Sequence, residues 1–130
     1  MKKILFFMLI SATVLAQNPV LKVNIKGFEN NKGTLMLEVL DARKKSLKRL
    51  MQPIVNKQVS VEIKDLSAGQ YSVRVFHDEN DNKKLDTGMF GIPKEDWGMS
   101  NNVKAIMGPP DFNESLFWLK ADKTLEIVLK

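Results

Sequence analysis

The sequence contains no cysteine. Disulfide cross-links and a lipid-anchoring cysteine are therefore excluded. Histidine is nearly as scarce: His77 stands alone, so a zinc catalytic centre would have to be completed by carboxylates, which is not the usual ligand set. No nucleophile-elbow motif surrounds Ser100, which leaves a Ser100–His77–acid arrangement without local support. No apolar run reaches the roughly 20 residues that a bilayer span needs. The basic run Arg43, Lys44, Lys45, Lys48 and Arg49 has no interleaved aromatic residues. It reads as a solvated face rather than a polyanion site, and nucleic acid is not an expected partner.

What is present begins with a targeting pattern. Lys2 and Lys3 precede an apolar run over 4–10 that continues through Ala12, Val14 and Leu15, and Val14-Leu15-Ala16 offers compact residues for a peptidase. A charged start, a short apolar stretch and this exit make a secretory signal peptide over 1–16, cleaved after Ala16. Residues 17–130 then form a single mature domain, exported to the periplasm or beyond, at a length that supports one hydrophobic core. The formal charge of +5 includes Lys2 and Lys3 and is +3 without them, an ordinary solubility charge.

The mature chain alternates. Leu21, Val23 and Ile25 interleave with Lys22, Asn24 and Lys26, and the same period recurs at Leu35-Leu37-Val39, Val59-Val61-Ile63, Tyr71-Val73-Val75 and Leu125-Ile127-Leu129. Period two means one buried and one wet face. Five such segments, with turn signals between most of them, predict an all-β, antiparallel sandwich of the immunoglobulin or transthyretin-like type with about seven strands. A further strand is expected over 115–121, with Leu116 and Trp118 sharing a face. The segment 45–55 is open between a short helix and an irregular edge strand, limited by Pro53. In Leu66-Ser67-Ala68-Gly69-Gln70-Tyr71, Gly69 is able to supply a positive φ, and Tyr71 to bond across a corner. The turn resembles that of transthyretin-like and carboxypeptidase-regulatory-like sandwiches.

Alternation stops at His77, and the long excursion 78–115 shows none. It holds Phe90, Ile92, Trp97, Met99, Ile106, Met107 and Phe112, too many apolar groups to leave in water, together with several Gly and Pro. An ordered functional loop is expected. Asp78, Asn80 and Asn82 occupy positions 1, 3 and 5 of a calcium-loop register, with the Lys84 carbonyl at 7 and Asp86 at 9. Lys83 and Met89 stand where a helical EF-hand has glycine and a bidentate Glu. A shorter calcium loop closed by Asp86 is the expectation, with a solvated Asx-rich turn as its rival.

Three motifs in order carry a resemblance: His77-Asp-Glu-Asn-x-Asn-x-x-Leu-Asp86, Phe90-Gly-Ile-Pro-x-Glu-x-Trp-Gly-x-Ser-Asn-Asn102 and Gly108-Pro-Pro-x-Phe112. With the Gly69-x-Tyr71 turn, they resemble the bacterial domain-of-unknown-function family 2141 over nearly the whole mature chain. The resemblance implies an exported one-domain protein with a sandwich-like fold and implies no activity. Lys83 departs from that family's usual glycine.

The functional expectation is an exported, non-enzymatic binding or structural module with a calcium-stabilised loop. Its partner would be an envelope or extracellular glycan or protein. Candidate ligand-binding residues are His77, Glu95, Trp97, Ser100, Asn101, Asn102 and Phe112. The alternatives are a carbohydrate-binding module centred on Trp97 and an envelope enzyme using Asp78, Glu79, Asp86 and Glu95. Against the first stands a plainer role, in which Trp97 plugs the loop onto the sandwich while the asparagines cap turns.

Overall fold

Each alternating segment forms a strand that turns its apolar set inward. The computed structural model describes residues 17–81 and 95–130. Its strands are β1 (Leu21–Lys26), β2 (Thr34–Asp41), β3 (Ser46–Pro53), β4 (Gln58–Ile63), β5 (Gly69–Asp78), β6 (Trp97–Met99), β7 (Phe117–Leu119) and β8 (Lys123–Val128). One sheet runs β4-β1-β8. The other runs β3-β2-β5-β6, with β7 also pairing β5. Their facing sides meet in one core that contains Val23, Leu37, Val61, Val73, Phe117 and Ile127. The architecture is the all-β sandwich that the alternation predicts, and residues 1–16, over which a signal peptide is expected, lie outside the described residues.

Three local outcomes sharpen the expectation. The first and last strands, β1 and β8, pair in parallel, while all the other pairs are antiparallel. Parallel neighbours need a long crossover, and here nearly the whole domain separates them. The ambiguous segment is edge strand β3, with Pro53 as its last residue, where a missing N–H does least harm. Its Lys48 and Arg49 line an edge that pairs only with β2, and charge there discourages pairing with another chain. In β7, Phe117 and Leu119 are buried and Trp118 is 58 % exposed. The strand is shorter than the expected 115–121, and Leu116, half-buried, lies just before it.

The corner at Tyr71 forms as expected, with the phenol donating to the Ser67 carbonyl at 2.6 Å. Gly69 is not its conformational hinge, however. Positive φ among the described glycines occurs at Gly27 and Gly33. At Gly33 a Cβ would fall 1.9 Å from the Asp78 carbonyl oxygen, so the β1–β2 turn touches the end of β5 only because that side chain is absent.

Candidate functional site

The excursion leaves β5 at Asp78 and returns as β6. β6 lies between the two sheets: it pairs with β5 on one side, while Trp97 and Lys130 exchange backbone bonds of 3.2 and 2.9 Å on the other. Gly98 permits this closeness, since a Cβ there would lie 2.5 Å from Ile127 Cγ2. Trp97, Met99 and Val103 form a second small core, against which Phe76, Ala105 and Phe112 pack. Trp97 is therefore not an exposed stacking platform. Its ring is 8 % exposed and holds the excursion to the sheet, because burying so much apolar surface outweighs leaving it in water.

The polar residues after it act as staples. Along β5, β7 pairs with Gly69–Tyr71 and β6 with Arg74–Phe76. The Val73 N–H between them donates to Ser100 Oγ at 3.0 Å, and Ser100 in turn donates to the Ser115 carbonyl. That buried hydroxyl is engaged on both counts. Asn101 Nδ2 donates to the carbonyls of Glu114 and Leu116, both at 3.0 Å. Asn102 donates to the Glu126 carbonyl and accepts from Val128 N–H, extending the edge of β8. Both asparagines have positive φ, 64° and 50°, which Asn tolerates better than most residues. Phe112 is half-buried beneath Lys44, whose ammonium lies 5.3 Å from the ring centroid.

At the foot of the excursion, β5 continues its inward face from Tyr71, Val73 and Val75 to His77, which is fully buried. Phe28 meets the imidazole edge-on at 5.2 Å. His77 Nε2 lies 2.5 Å from the Lys32 carbonyl oxygen, and Nδ1 lies 3.6 Å from Glu79 Oε1. The His77 N–H donates to the Asp96 carbonyl at 2.8 Å, tying the outgoing and returning chain together. One ligand atom each from His77, Glu79 and Asp96 falls within 4.8 Å of the others. Burial raises the Asp96 pKa above the ordinary aspartate value, and the charges of Glu29 and Glu79 add to the rise.

Of the calcium register, Asp78 is fully buried at the end of β5 and Asn80 is exposed just beyond it. Asn82, Lys84 and Asp86 lie outside the described residues. Glu95 opens the returning segment at intermediate burial. The structure thus gathers Trp97, Ser100, Asn101, Asn102 and Phe112 into the scaffold of the excursion and places His77 at its foot. Sequence reasoning missed Asp96 as a partner of His77, and it named Glu79 only as a candidate enzymatic acid. The alternation through Tyr71, Val73 and Val75 leads on to His77 and Glu79, but nothing in the sequence near Asp96 reveals the cross-strand pairing that delivers it.

A two-sheet sandwich with a stapled excursion between β5 and β7 is the class that this geometry defines. Residues 23–127 match the family described as an uncharacterized protein conserved in bacteria, domain-of-unknown-function family 2141. The match runs from β1 to β8, and the chain belongs to that family. No curated protein and no solved structure matches it.

Proposed function

We propose that the protein is an exported, non-enzymatic binding module whose excursion is a preformed recognition surface for an envelope or extracellular protein. The observation that carries this reading is the exposure of Ile106 and Met107, 78 % and 94 %, on a segment anchored at both flanks. Ile106 lines a groove of about 430 Å³ with Asn101, Val103, Lys104, Pro109 and Glu114, and Met107 follows it in the chain. Apolar side chains ringed by polar ones have the anatomy of a protein interface. Preformed support lowers the ordering cost of association. Calcium held by Asp78, Asn80, Asn82, Asp86 and the Lys84 carbonyl would stabilise the first part of the excursion. A glycan ligand is the second reading, favoured by the exposed ring of Trp118 rather than by Trp97.

A photo-crosslinking residue at Met107 tests the first reading in the bacterial cell. A discrete adduct is expected from that position and none from Glu62, which is exposed on the outer face of β4. The same pattern from both positions, or no adduct at Met107, contradicts it.

A further inference from the structure

We propose that His77, Glu79 and Asp96 form a binding site for a divalent transition-metal cation of the zinc type, clamping the two ends of the excursion. The argument starts with the tautomer. A carbonyl oxygen only accepts, so the contact of His77 Nε2 with the Lys32 carbonyl places a proton on Nε2. In the neutral ring the lone pair then sits on Nδ1. That atom is buried and, among the described residues, has no hydrogen-bond partner. It faces Glu79 Oε1 at 3.6 Å, too far for a hydrogen bond yet suited to two ligands of one ion. Metal-binding imidazoles commonly have their other nitrogen fixed by a backbone carbonyl in this way.

The surrounding charge points in the same direction. The charges of Glu29 and Glu79 both bear on Asp96, and among the described residues no Lys or Arg forms an ion pair with Glu79 or Asp96. A cation would relieve that repulsion. The frame is also prepared. Glu79 accepts from Asn30 Nδ2 at 3.4 Å, and its backbone N–H donates to the His77 carbonyl at 3.1 Å. Gly33 lets the Lys32 turn close against β5. The three ligand atoms lie within 4.8 Å of one another, and gathering them about 2.0–2.2 Å from one centre requires side-chain adjustment, for which the exposed Glu79 has room.

The buried imidazole favours a first-row transition metal over calcium. Imidazole with two carboxylates suits zinc and its first-row neighbours, whereas calcium takes six to eight oxygens. None of these three ligands belongs to the calcium register, so the two ions are separable by experiment. Three protein ligands would leave a tetrahedral ion one position for water or a partner's side chain.

Because His77 is the only histidine, long-range nitrogen–proton NMR of the chelator-treated, untagged protein reads this ring without ambiguity. The expected apo spectrum is the neutral Nε2–H tautomer. One equivalent of zinc chloride should shift Nδ1 and raise the melting temperature, and calorimetry should show one site. Glu79→Gln and Asp96→Asn each remove a carboxylate from an exposed or partly exposed residue and should weaken zinc binding at least about tenfold, while keeping the apo fold. An unmoved Nδ1 in excess zinc, a protonated ring paired with Glu79 at neutral pH, a response to calcium chloride alone, or unchanged zinc affinity in both variants overturns the site.

Discussion

Glu38 sits on the outer face of β2, in register with Arg49 of β3 and Arg74 of β5. Both guanidinium groups reach its carboxylate with Nε contacts of 2.6 Å, and Ser46 Oγ donates at 2.9 Å. Burial alone would push this carboxyl up, but Arg49, Ser46 and Arg74 together hold it below the ordinary glutamate value of 4.5. A carboxylate with a depressed folded pKa stabilises fully above its unfolded value and loses that contribution as pH falls through the folded one. The arginine side chains are 72 % and 52 % exposed, so solvent screening limits the effect. Glu38→Gln should therefore cost about 1 kcal/mol at pH 7, and urea denaturation should show the gap to wild type closing as the pH drops below 4.5. A gap of constant size down to pH about 3 would assign the loss to packing instead. The basic run has a legible meaning at this scale. Two of its members are bound to carboxylates across or beside β3, Arg49 to Glu38 and Lys48 to Asp65.

At the scale of elements, β6 illustrates what alternation does not reveal. Three residues, Trp97-Gly98-Met99, are too few to show a period, and all three are buried. The strand exists because β5 pairs with one of its edges and Lys130 with the other, both contributed by chain far away in sequence. Gly98 is the point of closest approach, facing the branched and stiff Ile127. Gly98→Ala should lower stability by about 1–3 kcal/mol through overpacking. Gly69→Ala offers the contrast, because its new Cβ would find only ordinary contacts at 3.5 Å or more, to the Tyr71 ring. Thermal melts that show equal losses for the two variants would refute this assignment. The longer strands were readable for the opposite reason: β1, β4 and β8 each hold enough residues for period two to show which face is buried.

For the whole molecule, the sandwich was legible because its core is a repeated local pattern, and the candidate metal cluster was not because His77 and Asp96 meet only through strand pairing. The asparagines after Trp97 suggested a recognition surface, yet they are bonded to the scaffold's own carbonyls. Composition cannot distinguish a side chain that caps backbone from one that awaits a ligand. The proposed export makes a separate prediction: mass spectrometry of the protein recovered from the cell envelope should find a mature chain beginning at Gln17, and a chain still carrying Met1 would contradict it.

The central claim is that the returning half of the excursion is as fixed as the sheets that carry it. Nitrogen-15 relaxation across residues 97–115 tests this most directly. Order parameters near about 0.85, like those of β2 and β5, are predicted for the stapled backbone. Values below about 0.6 through Ser100, Asn101 and Asn102 would contradict the account, because a segment that mobile would not hold Ile106 and Met107 in a preformed surface.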